Sequence, residues 1–119
     1  MKDFDFSYDK VNDDLFMYYP KSRSKGSVEI GNIILDYNAK KEIVAIQLLN
    51  ASRLIKDMLV DEKIDMKLFL ASLTACKVNI KTDNSLTTIR FYLTTASKEI
   101  MPVLSMPILM RSSPALACA

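Results

Sequence analysis

Five aspartates lie within the first fourteen residues, and they are the side chains of this chain best suited to bind a metal ion. Asp9, Asp13 and Asp14 bracket a predicted turn, where their oxygens could bind a hard cation. The segment lacks the glycine and the distal glutamate of a calcium-binding loop, and aspartate commonly stabilises turns. We therefore favour turn capping, predict no cofactor, and keep a carboxylate- or metal-dependent small enzyme as an alternative.

A second group of side chains could bind nucleic acid through phosphate contacts and base stacking. Its members are Lys21, Arg23 and Lys25 in a polar loop, with Lys77, Lys81, Arg90 and Tyr92 on one face of a predicted hairpin. A solvated sheet face produces the same pattern, and the formal net charge is only +2. Nucleic-acid binding through this surface is therefore kept as an alternative hypothesis, and a solvated sheet face is preferred.

Several catalytic arrangements are absent from the sequence. The chain has no histidine, which excludes Ser-His-Asp and Cys-His nucleophile pairs and histidine-ligated zinc. Its two glycines, Gly26 and Gly31, form no phosphate-binding loop. Cys76 lies in a strand pattern typical of a buried thiol, and Ser52 has no base to activate it, so we expect a helix cap there. The sequence therefore favours a protein that is not an enzyme.

Alternating apolar residues indicate that the N-terminal half is a sheet. The inward residues of its first two predicted strands are Phe4, Phe6 and Tyr8, and then Leu15, Met17 and Tyr19. Residues 27–37 are predicted as one strand with a bulge at Gly31-Asn32, because the apolar positions change there from even to odd numbers. A turn at 38–41 returns the chain into strand 42–49, which is apolar on both faces and is expected at the centre of the sheet, covered on both sides.

Helical spacing follows this sheet, with Asn50 or Ser52 as candidate caps and one main helix over about residues 51–60. Asp65 can cap a second, short helix over 66–71, and a second hairpin is predicted over 75–95. Residues 100–110 are apolar and contain two prolines, which suits an edge strand or an arm that docks on a second copy. The predicted fold class is α+β, with an antiparallel β-meander packed by one main helix and a C-terminal hairpin.

A set of residues in the N-terminal half carries a family resemblance: Tyr8-Asp9, Asp13, residues 15–17, Asp36 in the hairpin, and Ala51-Ser52. With these residues, the segment from about 6 to 52 resembles the domain of unknown function 2283 family of small uncharacterised prokaryotic proteins. The chain departs from the family at Lys41, where glycine is usual, and at Ala45-Ile46-Gln47, where Gly-Ile-Glu is usual. The resemblance implies this fold, no assigned activity, and a partner protein as in toxin–antitoxin pairs.

Length and composition indicate one domain over residues 1–111 and a loose tail over 112–119. The acidic, alternating N-terminus is unlike a signal peptide, and no apolar run reaches the length of a membrane span. We therefore expect a cytoplasmic protein that does not associate with a membrane. The apolar segment 100–110 needs cover. We therefore predict a non-enzymatic interaction module that forms a homodimer or binds a partner protein, with an antitoxin-like role as one form.

Overall fold

The computed structural model describes residues 1–59 and 63–107, which form two antiparallel sheets and two short helices. The first sheet contains β2 (Asp5–Asp9), β3 (Asp14–Tyr18), β4 (Gly26–Ile30), β5 (Ile33–Tyr37) and β6 (Ile43–Leu48). The second contains β1 (Lys2–Asp3), β7 (Ala75–Asp83), β8 (Leu86–Thr94), β9 (Glu99–Ile100) and β10 (Val103–Pro107). The helices are α1 (Ala51–Met58) and α2 (Met66–Ala71).

The antiparallel α+β architecture agrees with the prediction, but the single main helix does not. Helix α1 has eight residues and α2 has six, so the two helices are of similar length. The bounds of α2 are those predicted, and Asp65 caps it by accepting a hydrogen bond from the Leu68 N–H at 3.3 Å.

The first sheet is not the simple meander that was predicted. Its strand order is β2-β3-β6-β5-β4, so β6 lies between β3 and β5, and β4 lies at the far edge. Strand β6 holds the central position expected for it, because its residues are the most apolar of the sheet and four consecutive ones, 43–46, are buried. Its outer side is not covered as predicted, since the neighbouring Phe16 and Tyr18 remain exposed.

Residues 26–37 form a hairpin, and the predicted bulge at Gly31-Asn32 is wrong. Ile30 pairs with Ile33 across a two-residue turn in which Gly31 has φ 56°. A Gly-Asn pair between two apolar runs is typical of a tight hairpin turn, and the same pair explains the change of parity. The bulge lies instead in β6 at Val44, because Asp36 pairs with Ala45 and Tyr37 pairs with Ile43.

One apolar core connects both sheets and both helices. It contains Leu15 and Ile46 from the first sheet, Phe91 from the second, Ile55 from α1 and Leu70 from α2. The N-terminal strand contributes to both sheets, because the buried Phe4 separates β1 from β2 and its N–H donates to the Cys76 carbonyl.

The second hairpin has its predicted strands, with Asn84-Ser85 as its turn and Asn84 at φ 50°. The apolar segment that follows it forms β9 and β10, which both pair with β8. Strand β10 is therefore an edge strand of the second sheet as far as residue 107. Residues 108–110 and the predicted tail 112–119 lie outside the described residues.

Candidate functional site

Three polar side chains meet where the first sheet joins the start of α1, and we call Tyr8, Asp13 and Ser52 the capping cluster. The Tyr8 hydroxyl donates to Asp13 Oδ1 at 2.6 Å. The Ser52 N–H donates to Oδ1 at 3.1 Å, and the Ser52 hydroxyl donates to Oδ2 at 2.7 Å. The Asp13 main-chain carbonyl accepts from the Ala51 N–H at 2.8 Å. Asp13 therefore satisfies the first N–H groups of α1 from a turn 39 residues away in sequence.

The local residues that were expected to cap α1 do other things. Asn50 occupies the cap position with φ 55°, and its side chain makes no capping hydrogen bond. Ser52 is a donor to Asp13 through both its N–H and its hydroxyl, so its oxygen does not accept from the helix backbone in this arrangement. Asn50 supplies the left-handed turn, and Asp13 supplies the negative charge that a helix N-terminus favours.

The electrostatics of the capping cluster keep Asp13 ionised and Tyr8 protonated. Burial acts to raise the pKa of Asp13, but hydrogen bonds from Tyr8 and Ser52, with the positive charge of Lys67, outweigh burial and hold that pKa below its ordinary value. Burial and the hydrogen bond to Asp13 raise the pKa of Tyr8 above its ordinary value. The Tyr8 hydroxyl is therefore a stable donor and a poor general base.

The other two predicted acidic residues, Asp9 and Asp14, do not join the capping cluster. Asp9 accepts from the N–H groups of Val11 and Asn12 and from the Asn12 side chain, and the Asn12 hydrogen bonds lower its pKa. Asp14 lies opposite Asp9 on the neighbouring strand. Within residues 1–59 and 63–107, no group of three or more histidine, cysteine, aspartate or glutamate side chains could hold a metal ion.

The predicted basic residues of the second hairpin share one face, as their spacing indicates. Lys77 lies opposite Tyr92, and Lys81 lies opposite Thr88 on the strand that carries Arg90. Acidic residues share this face, because Asp3 pairs with Lys77, Asp83 follows Lys81 on β7, and Glu99 pairs with Thr94. Three cations and three anions therefore share this face. Lys21, Arg23 and Lys25 lie in the loop between β3 and β4 of the first sheet.

A basic cleft between α1 and α2 was not found from the sequence. It is open, measures about 310 Å³, and carries Arg53, Lys56 and Lys67 with Asp65 on its lining. The available signal was the three-residue spacing of Arg53 and Lys56, which places both on one face of a helix. Sequence reasoning had no means to show that Lys67, on the next helix, would lie beside them.

Burial determines the reactivity of the Cys76 thiol. Cys76 is 2% exposed, as the strand pattern predicted, and burial raises the pKa of its thiol to about 12. A thiol with that pKa is a poor nucleophile at neutral pH. Every buried side-chain nitrogen and oxygen among the described residues has a hydrogen-bond partner. Cys118 lies outside the described residues.

None of the helices in the described part of the chain combines the length and the apolar character that crossing a membrane requires.

The remaining family residues occupy the sheet that leads to the capping cluster. Asp36 is half-buried on β5, Ile46 is fully buried on β6, and Ala51 is buried at the first position of α1. Lys41, which stands where the family usually has glycine, has φ 63°, so it adopts the left-handed conformation that glycine adopts without strain.

Comparison with known proteins finds similarity in the segment that contains the first sheet and the capping cluster. Residues 5–52 match the family described as a protein of unknown function (DUF2283). An uncharacterised protein of Methanocaldococcus jannaschii is 36% identical over 47 residues, which is 40% of this chain and 40% of that protein. This chain thus spans well under half the length of that relative. No solved structure matches this chain. The matched residues run from β2 to the first turn of α1, and the resemblance of the N-terminal part of the chain to the DUF2283 family is confirmed over residues 5–52.

Proposed function

We propose that the protein is a non-enzymatic, cytoplasmic interaction module that forms a homodimer through the free edge of its second sheet. The observation that carries this proposal is strand β10, which pairs with β8 on one side only among the described residues. An unpaired edge offers N–H and C=O groups to another strand, and natural edges are usually protected by lysine, proline or bulges. Val103 is 42% exposed, and no charged side chain lies within β10.

The hydrogen bonds of β8 identify which groups of β10 face outward. The Phe91 N–H donates to the Pro102 carbonyl at 3.0 Å, and these two residues lie opposite each other in the register. Antiparallel pairs alternate between hydrogen-bonded and non-hydrogen-bonded residues. Leu104 and Met106 therefore bond to β8, whereas the backbone groups of Val103 and Ser105 point away from the sheet.

Two prolines limit the register in which a second strand can pair. Pro102 and Pro107 have no N–H to donate, so the outward donors between them are those of Val103 and Ser105. In a two-fold pairing, Val103 of one copy lies opposite Ser105 of the other, with the two Leu104 residues on the axis. Four main-chain hydrogen bonds then join the two second sheets into one continuous sheet.

A partner protein belongs to the same proposal, because the DUF2283 resemblance suggests genes that act in toxin–antitoxin pairs. In an antitoxin-like role, the protein would bind a small toxin without chemistry of its own. Co-purification of the full chain with a neighbouring gene product from its prokaryotic host would test this form of the proposal.

The homodimer is tested with Ser105→Pro, which removes one outward N–H and leaves the bonds from β10 to β8 in place. Ser105→Ala is the matched control, because it shortens the same side chain and keeps the N–H. Light scattering during gel filtration is expected to give twice the 13.5 kDa chain mass for the wild type and Ser105→Ala, and the single chain mass for Ser105→Pro. A monomeric wild type, or a dimeric Ser105→Pro, would contradict the proposal.

A further inference from the structure

The outer face of the first sheet combines an exposed aromatic centre with an acidic border. In one row across the strands, Phe16 lies opposite Ser7 and Gln47, and Ile34 lies opposite Gln47 and Glu29. In the adjacent row, Tyr18 lies opposite Asp5 and Ala45, and Asp36 lies opposite Ala45 and Ser27. Directly opposite residues of antiparallel strands project from the same face, so these rows form one surface.

The aromatic centre is an ordered and accessible pair. The rings of Phe16 and Tyr18 stack with centroids 5.2 Å apart and an interplanar angle of 24°. Their side chains are 37% and 36% exposed, although they lie on a strand whose alternate residues, Leu15 and Met17, are fully buried. Neither ring belongs to the core of the protein. Exposed aromatic rings are enriched at surfaces that bind a partner protein.

The strands of the first sheet supply charges of one sign to this face. Its five strands carry five acidic residues and no lysine or arginine. The alternation places all five on the outer face, and they are Asp5, Asp9, Asp14, Glu29 and Asp36. The whole chain has a net charge of +2, so the acidic charge is concentrated here while the second sheet mixes both signs.

We propose that this outer face binds a basic, amphipathic segment of a partner protein whose arginines stack on Phe16 and Tyr18. A guanidinium group can stack on an aromatic ring and bond a neighbouring carboxylate at once. Asp5 lies opposite Tyr18, and Asp14 is two positions from Phe16 on β3, so a carboxylate stands beside each ring. Five strands span about 19 Å, which fits about six residues of an extended segment.

The same charges argue against other occupants of this face. If two copies of the protein paired through this face, the five carboxylates of one copy would lie against the same five carboxylates of the other. Repulsion between these like charges costs free energy. Nucleic acid carries phosphates, which acidic side chains repel. The inference deepens the proposed function by naming the chemistry of a partner other than a second copy, and it uses a surface separate from β10.

A fluorescein-labelled peptide of about nine residues alternating Arg and Leu, read by fluorescence anisotropy, tests the proposal on the full chain. Asp5→Lys with Glu29→Lys reverses two exposed charges of the face. Asp3→Lys with Asp83→Lys makes the same change in net charge on the outer face of the second sheet and is the control. We expect the first pair to weaken binding at least about tenfold and the control pair by less than about twofold.

Two further arms separate recognition from general charge attraction. Phe16→Ala keeps the charge of the face and is expected to weaken the same peptide about fivefold, because it removes one stacking ring. A peptide alternating Glu and Leu is expected not to bind. Equal weakening by both charge-reversal pairs, no effect of Phe16→Ala, or no binding of the Arg-Leu peptide to the wild type would overturn the proposal.

The outcome is independent of self-association. Ser105→Pro, which is designed to separate the copies, is expected to bind the Arg-Leu peptide as the wild type does. A monomeric wild type that binds this peptide would remove the homodimer and leave this proposal standing, while a dimer without peptide binding would do the reverse.

Discussion

Asp13 links the start of α1 to the turn between β2 and β3. Its main-chain carbonyl accepts from the Ala51 N–H, and its carboxylate accepts from the N–H and the hydroxyl of Ser52, while its own backbone has φ 57°. Local rules indicated Asn50 or Ser52 as the cap, because both types commonly cap helices. A cap supplied from a distant turn leaves no local pattern, although Tyr8, Asp13 and Ser52 all belong to the family resemblance.

Removing the Tyr8 hydroxyl is expected to destabilise the protein in a pH-dependent way. Tyr8→Phe takes away a hydrogen bond to an ionised group, worth about 1.5–3 kcal/mol in the free energy of unfolding at pH 7. The folded-state pKa of Asp13 is lowered, so its stabilisation is present above the unfolded-state pKa of about 3.9 and is lost as the pH falls through the folded-state pKa. The loss in Tyr8→Phe should therefore shrink toward pH 3.

Tyr18→Phe is the matched control, because it removes a hydroxyl from an exposed ring on the other face of the same sheet. Urea unfolding at pH 7 and pH 3 measures both variants. We expect Tyr18→Phe to change the free energy of unfolding by less than about 0.5 kcal/mol at either pH. An equal loss for Tyr8→Phe at both pH values would show that Asp13 is not the group that titrates.

Among the elements of the fold, the turn at Gly31-Asn32 is where the sequence pattern was misinterpreted, because a bulge was predicted and a hairpin turn is present. Both a bulge and a two-residue hairpin turn explain a change of apolar parity, and both favour glycine at positive φ. The deciding information is which strand pairs with which, and alternation alone does not contain it. Among the described residues β4 pairs with β5 alone, so the chain reverses direction at Gly31-Asn32.

The two glycines of the chain allow a controlled test of that turn. Gly31 has φ 56°, and a Cβ built there meets no atom within 4 Å, so Gly31→Ala carries a backbone cost only, about 1–2 kcal/mol. A Cβ at Gly26 also meets nothing within 4 Å, and its φ is not in that range, so Gly26→Ala should be neutral or stabilise by up to about 1 kcal/mol. Thermal unfolding of both variants measures the difference, and equal effects would contradict the hairpin turn.

Across the whole fold, alternation predicted most strands and the capping residue Asp65 predicted the short helix α2, but neither pattern predicted how these elements are arranged. The pattern of Phe4, Phe6 and Tyr8 is continuous, yet the strand divides between two sheets at Phe4. The central place of β6 followed from its two apolar faces, while the order β2-β3-β6-β5-β4 depends on long-range pairing. The spacing of Lys77, Lys81 and Arg90 predicted that they share one face. It did not predict that acidic residues from other strands, Asp3 and Glu99, would lie on the same face.

The family match ends at the first turn of α1, so it covers the first sheet and the capping cluster. Strands β7 to β10, including the free edge, lie beyond the matched residues. The two proposed surfaces thus belong to different parts of the chain, with the acidic aromatic face on the matched sheet and the self-pairing edge on the other.

Amide hydrogen exchange, resolved by residue with NMR, tests the self-pairing edge most directly. The N–H groups of Leu104 and Met106 bond to β8 within one chain. Those of Val103 and Ser105 point away from β8 and have no acceptor among the described residues, and we propose that a second copy supplies one. We predict slow exchange at Val103 and Ser105 at high protein concentration and fast exchange on dilution, with Leu104 protected throughout. Fast exchange at Val103 and Ser105 at every concentration would contradict the pairing of β10 with a second copy.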